Sequence, residues 1–365
     1  MLVRELTDYL ESLAPLAYQE SYDNAGLLVG RPDQEINQAL ISLDCTEAVV
    51  DEAIDSGCNV IISHHPIVFK GLKRFNGNSY VERVVMKAIK HDIALYAIHT
   101  NLDNVTGGVN GKLAERLGLR QTAILSPKND LLRKLAVFVP LSHVEAVRTA
   151  LFTAGAGHVG NYDECSFNVV GYGTFRGGEG TDPYVGNPGE QHREEEVRVE
   201  VIFPVNRERA ILLALFETHP YEEVAYDIYP LQNTHQQVGS GLIGQLEQPL
   251  SEEGFLGLLK ERLNAQVIRH TELRSKPVAR VAVCGGAGGF LLDQAIRSGA
   301  DVFVTADYKY HEFFDAEGKI VIADVGHFES EQFTQQLLLE IIRKKFPTFA
   351  VRLTGIDTNP IKYYS

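Results

Sequence analysis

Five residues in three separated blocks carry the types and spacing of a metal centre. They are His64 and His65 in VIISHHP, Asp103 in HTNLDN, and His327 with Glu331 in DVGHFESE. Imidazole is the commonest metal ligand among side chains and the usual proton carrier near neutral pH. His327 and Glu331 stand four apart after a glycine, so a helix opening there places both on one face about a turn apart. Asp103 adds an anionic oxygen just beyond a predicted strand that ends near His99. Three nitrogens and two carboxylates suit zinc, iron or manganese and disfavour calcium or copper(I). Adjacent histidines tend to point in different directions, so His64 and His65 more easily serve different ions, and two ions bridged by Glu331 is the economical solution. His99, His311 and Asp307 are candidates for proton transfer or for orienting the ligands.

Taken singly, each group has an ordinary reading: a loop histidine pair, a solvated helix pair, a turn aspartate. What favours the metal is where the elements put them. Val60–Ile62 reads as a buried strand that runs straight into His64, and in parallel α/β sheets ligands bind at that carboxyl edge. A helix over Glu47–Ser56, closed by Gly57, precedes it, and a helix over Val81–Lys90 separates it from a strand over Ile93–Ile98. Strands alternating with helices at this spacing predict βαβ units in a largely parallel sheet. The pattern recurs late in the chain: LLDQAIRSGADVFVT (Leu291–Thr305) lies over VVDEAIDSGCNVIIS (Val49–Ser63), and Gly241–Gly244 echoes Gly26–Gly30. Duplicated lobes are expected, packed as pseudo-symmetric halves around one cleft.

Between the halves the reading changes. Strands over Leu135–Val139, Phe167–Tyr172, Val197–Phe203 and Val224–Tyr229, with helices after a Ser142-x-x-Glu145 capping box and over Arg207–Thr218, give the order βαββαβ of a ferredoxin-like module. Gly177–Gln191 reads as a mobile loop within it. The expected architecture is therefore an α/β lobe over residues 1–126, an inserted domain over 127–235 and a second lobe over 236–365. The glycine run Cys284–Gly289 follows a strand in the context of a phosphate-binding turn, but it lacks the third glycine of G-x-G-x-x-G. A tight turn that merely lets backbones approach is the competing reading.

Composition narrows the function classes. The 365 residues are 44% hydrophobic and 22% charged, with a formal net charge of -14, so the whole surface repels phosphate backbones and unspecific nucleic-acid binding is disfavoured. No apolar run is long enough to cross a bilayer, and the amphipathic start is not a signal peptide, which predicts a cytoplasmic protein. The four cysteines make no C-x-x-C, so neither a disulfide framework nor a thiolate zinc site is expected.

The blocks SYDNAGLLVG, ISHHPIVFKG, HTNLDN, TADYKYHEFFDA and DVGHFESE together resemble the signature blocks of the NIF-three-like proteins, known as GTP cyclohydrolase I type 2 homologues. The resemblance covers residues 1 to about 126 and about 236 to 365. It implies two α/β lobes around a dinuclear metal centre, and subunits assembled into a homohexameric toroid. It also implies His64, His65, Asp103, His327 and Glu331 as ligands, with His99 and His311 lining the pocket. The middle segment, through GAGHVGNYDECSF and HPYEEVAYDIYPL, is similar to PII and CutA signalling-type modules. The expected cofactor is two divalent transition-metal ions per subunit, zinc first and iron or manganese next. The expected activity is hydrolysis of a nucleotide-type substrate by metal-activated water, as in GTP cyclohydrolase chemistry. The alternatives are a non-enzymatic ring scaffold for a protein or nucleic-acid partner, and a structural site that only clamps the lobes.

Overall fold

Short runs of apolar residues form the strands that carry the site, and the helices between them cover both faces. The computed structural model describes residues 1–364. The chain divides into two units, Met1–Pro127 with Gln237–Ser365, and Lys128–Gln236. The first segment supplies β1 (Gly26–Val29), β2 (Gln38–Ser42), β3 (Val60–Ser63), β4 (Ala94–Ala97) and β5 (Arg120–Lys128). Strands β2, β3 and β4 run parallel, and β1 pairs antiparallel with β4. Every residue of β3 and β4 is buried because side chains alternate between two covered faces. Leu40, Ile61 and Leu95 meet the helices Glu47–Ser56 and Tyr80–Lys90 on one side. Ile41, Val60, Ile62 and Tyr96 meet Val3–Leu13 and Thr334–Lys345 on the other. Local signals set the helix ends: Thr46 accepts from the Val49 N–H, and Gly57 takes the left-handed conformation at φ 71°.

The second unit contains β6 (Leu132–Pro140), β7 (Phe167–Arg176), β8 (Gln191–Pro204) and β9 (Tyr226–Leu231) in one antiparallel sheet of order β7-β8-β6-β9. Helices Val144–Thr153 and Glu208–Thr218 cover one face, where Val137, Val199, Phe203, Leu151 and Leu215 form the core. Two local expectations are corrected. The hairpin of β7 and β8 continues in register out to Arg176 and Gln191, well past the apolar stretch, because backbone pairing persists where the side chains are polar. The capping box is also not made: a 3-10 turn over Leu141–His143 leads into the helix, and the Ser142 hydroxyl bonds the His143 ring instead.

The chain then returns to the first unit through β10 (His235–Leu250), β11 (Arg269–His270), β12 (Val278–Ala287), β13 (Val302–Ala306), β14 (Val321–Asp324) and β15 (Ala350–Leu353). Here β12, β13 and β14 run parallel in a sheet of order β11-β14-β13-β12-β10-β5, while β15 joins the first sheet beside β2. The strand that echoes β1 in sequence behaves differently: β10 pairs with β12, whereas β1 pairs with β4. The two glycine-flanked strands thus sit at opposite edges of their parallel triplets, so that echo does not mark a shared position. Phe255, on the helix Glu252–Leu263, is fully buried against Leu259, Val281 and Val302. Phe255→Ala is expected to cost about 3–5 kcal/mol through lost burial and a residual cavity, read by chemical denaturation beside the parent chain.

Candidate metal centre

The carboxyl ends of the parallel strands in both sheets converge, and three of them deliver the imidazoles and carboxylates of the centre. Strand β3 runs into His64 and His65, β4 into His99 and the short helix Thr100–Asp103, and β14 into Gly326 and the helix His327–Glu331. Gly326 takes φ 96°, a backbone conformation that other residues rarely adopt, so a side chain there would be strained.

Four histidines are fixed through Nδ1 and turn Nε2 inward. His64 Nδ1 lies 2.8 Å from the Ile98 carbonyl, which only accepts, so Nδ1 carries the proton and Nε2 keeps its lone pair. His65 Nδ1 lies 2.8 Å from Asp44 Oδ1, His99 Nδ1 lies 2.8 Å from Asp23 Oδ1, and His327 Nδ1 lies 2.7 Å from Asp307 Oδ2. This is the arrangement in which a carboxylate sets the tautomer and direction of a metal-binding imidazole. Glu331, 3% exposed, receives them at its centre. Its Oε2 lies 3.0 Å from Nε2 of both His65 and His327, and its Oε1 lies 3.9 Å from His64 Nε2.

The other face of Glu331 carries the test of whether a cation fits. His64 Nε2 and Asp103 Oδ1 face each other at 3.5 Å, both buried and both without a hydrogen-bond partner. Two orphaned acceptors in one buried spot cost about 1–3 kcal/mol each in desolvation, and a cation between such atoms removes that cost. The ligand atoms of His65, His327 and Glu331 lie within 4.8 Å of one another, as do those of His64, His65 and His99. The donor set fits a divalent transition metal.

Burial and charge divide the group. Burial holds His64 neutral, with its pKa lowered to about 4 against a weaker opposing pull from Glu331. Burial also disfavours charge on His65 and His327, but Asp44 and Asp307 with Glu331 outweigh it and raise them to about 9 and about 11. Burial and then the Glu331 charge raise Asp103 well above the usual carboxylate range. Burial would raise Glu331 too, yet hydrogen bonds from the histidines, His327 foremost, take it well below.

The glycine run at the end of β12 is paired within the protein. The N–H groups of Gly285, Gly286 and Gly288 donate to Asn110 Oδ1, Ser330 Oγ and Thr305 Oγ1 at 2.9, 2.9 and 3.0 Å. A Cβ on Gly286, at φ 64°, would sit 2.4 Å from Glu331 Oε1. Close approach of backbone to the central carboxylate is therefore a use of this run, and these three N–H groups are not available to a phosphate.

Of the residues singled out from sequence, His64, His65, Asp103, His327 and Glu331 come together and His99 stands beside them, its ring 5.2 Å from that of His64. Asp307 orients His327. His311 is not brought in: it is exposed on the 3-10 segment Tyr310–Ala316, its ring against Tyr310, and it does not line the cavity. That seven-residue segment leaves β13 outward, which the position of His311 after the strand does not reveal. Asp44 and Asp23 were missed as partners of His65 and His99. Asp44 was open to discovery, since it follows β2 as His65 follows β3, and the ends of parallel neighbours are adjacent.

Two expected outcomes follow from these carboxylates. Asp44→Ala removes the acceptor that holds His65, so metal affinity is expected to fall about 10–100-fold in competition with a chromogenic chelator. Asp23 has no exposed side-chain surface. Its burial alone would raise the carboxyl, but hydrogen bonds from His99 and Thr100 prevail and lower it to about 2. A depressed carboxylate stabilises the fold above its unfolded pKa. The stability difference between parent and Asp23→Asn should therefore be full at pH 6 and shrink as pH falls from about 4 towards about 2, read by denaturation at each pH.

The group opens into a cavity of about 450 Å³ whose wall includes Tyr22, Phe69, Phe290 and Ile361. The sequence profile of Duf34/NIF3 (NGG1p interacting factor 3) matches residues 1–360. The chain belongs to the Duf34/NIF3 family. The resemblance read from the motif blocks is borne out. A Bacillus subtilis (strain 168) Duf34/NIF3 relative, named GTP cyclohydrolase 1 type 2 homolog, is 39% identical over 366 residues, covering 99% of this chain and 98% of its own. A relative of the same name from Mycobacterium leprae (strain TN) is 36% identical, covering 98% and 94%. Among solved structures, a Bacillus cereus protein related to NIF3 is 40% identical with a TM-score of 0.86 over 100% of this chain and 99% of its own. Reduced HcgD from Methanocaldococcus jannaschii, 20% identical with a TM-score of 0.58 over 98% of both chains, shares the fold alone.

Proposed function

We propose that this Duf34/NIF3 protein is a dinuclear metal-dependent hydrolase of a small nucleotide-type substrate. The observation that carries the reading is the division of labour at Glu331. Its Oε2 faces His65 and His327, while its Oε1 faces His64, whose unpartnered Nε2 looks at the unpartnered Oδ1 of Asp103. His65, His327 and Glu331 Oε2 would hold one ion, and His64, Asp103 and Glu331 Oε1 the other, with zinc first and iron or manganese next. When bound, such ions lower the pKa of water from that of bulk towards about 7 and polarise an acceptor oxygen. The chain's own part is to fix the donors and to move a proton. His99, held through Nδ1 by Asp23, offers Nε2 for that transfer beside His64 and His65. The shared name of the relatives suggests ring opening of GTP as the first reaction to try.

The test is elemental analysis of untagged protein purified without chelator, followed by turnover assays on purine nucleotides and nucleosides. About two transition-metal ions per chain and a ring-opened product support the reading; bound metal with no turnover of any purine nucleotide or nucleoside overturns the hydrolase and leaves a scaffold. That second reading has one observation in its favour. Val170 and Tyr172, on one face of β7, are 70% and 61% exposed, an apolar surface a partner could cover. A steep salt dependence of binding would identify a nucleic-acid partner. Our reading of the second unit is a ferredoxin-like inserted module of PII/CutA type, supported by its βαββαβ order, between two α/β lobes. A homohexameric ring is part of the reading and is tested by sedimentation. No described helix is long and apolar enough to cross a membrane, and we place the protein in the cytoplasm.

A further inference from the structure

We infer that the ligand of this site is a purine-sized, uncharged heteroaromatic group, presented as a nucleoside, and that the phosphate chain of a nucleotide is unwelcome in it. The inference rests on the metal reading above and moves its substrate class from the nucleotide to the nucleoside. Three observations carry it.

The first is charge. Glu20, Asp44, Asp103 and Glu331 contribute to the cavity wall, and among the described residues no lysine or arginine does. Two divalent ions would balance those four carboxylates, and imidazoles bind metal in their neutral form, so no positive charge is left over for a polyanion. The second is the backbone. A site without basic side chains can still take a phosphate through free N–H groups, but those of Gly285, Gly286 and Gly288 already donate to Asn110, Ser330 and Thr305. The third is shape and surface. Tyr22, Phe69 and Phe290 border the same cavity while 66%, 48% and 67% exposed, and the Phe69 ring meets His99 edge-on at 5.6 Å. Flat apolar faces at the mouth of a cavity of about 450 Å³ suit a planar ring, on which every base offers a stacking face. Acidic wall, three glycine N–H groups already paired and aromatic rim favour the ring end of the molecule over its phosphate end.

The experiment is equilibrium binding of guanosine, its 5′-monophosphate and its 5′-triphosphate to the full, metal-loaded chain, with metal content measured before and after. The nucleoside is expected to bind best, with the triphosphate about tenfold weaker or more through like-charge repulsion. Phe69→Ala and Phe290→Ala are each expected to weaken nucleoside binding about tenfold while metal content holds, the loss of one stacking partner. A triphosphate that binds as tightly as guanosine with the ions retained overturns this inference alone. Failure of all three to bind, or nucleoside affinity unmoved in both phenylalanine variants, overturns it as well. Protein that holds no metal sinks the metal reading and this one with it.

Discussion

Glu331→Ala should empty the centre of metal altogether, taking about two ions per chain to nearly none. Among the described residues no other side chain has an oxygen towards both donor groups: His65 and His327 lie 3.0 Å from Oε2, and His64 lies nearest Oε1. The same change should destabilise the metal-free protein. His65 and His327 approach to 3.3 Å between their Nε2 atoms and both are raised in pKa, so the buried carboxylate between them is what tolerates their charge. Removing one member of such a buried network costs about 3–5 kcal/mol. Glu331→Gln keeps the volume and separates the two effects, since an amide fills the space but cannot neutralise the imidazoles. Elemental analysis and thermal melts of the three proteins side by side provide the check. Two ions retained in Glu331→Ala would refute the shared-carboxylate arrangement.

His99→Ala should instead spare the metal and remove the chemistry. A positioned proton-transfer group contributes about 10²–10⁴ in rate, so kcat is expected to fall by that factor on whichever member of the purine series the parent turns over. The reasoning is geometric: His99 shares the cavity with the ligand histidines and is anchored by Asp23, which also accepts from the Thr100 N–H at 3.0 Å and from its hydroxyl. If His99 is a ligand as well, metal content falls with activity, and measuring both on one preparation distinguishes the roles.

Much of the centre was legible because its logic is local. VIISHHP states strand and imidazoles in seven letters, and the spacing of His327 and Glu331 on a helix opened by Gly326 is what puts both on Glu331's side of the cleft. Asp103 was visible for the same reason, one turn beyond β4. The partners of the histidines were less so: Asp44 meets His65 across 21 positions through the parallel pairing of β2 and β3, while Asp23 reaches His99 across 76 positions, a relation only tertiary packing creates. The role of the glycine run was inverted by packing too: its context matched a phosphate turn, while its N–H groups were claimed by side chains from three other elements. The β1 and β10 echo misled for a related reason, since strand propensity says nothing about which edge of a sheet a strand will take.

The distance along the chain between the groups that meet at Glu331 has a bearing on how the protein is made. His65 and Glu331 are 266 positions apart, with the whole second unit between them. Closing a flexible loop of that length costs about 5 kcal/mol in chain entropy, so the site cannot nucleate folding and must wait for both sheets to form. A nascent chain that has emerged only through HTNLDN offers the adjacent histidine pair and Asp103 but lacks His327 and Glu331, the carboxylate that both donor groups share. On the proposed metal reading, loading would thus be a late event in biogenesis, and bound ions would mark that the two ends of the polypeptide have found each other.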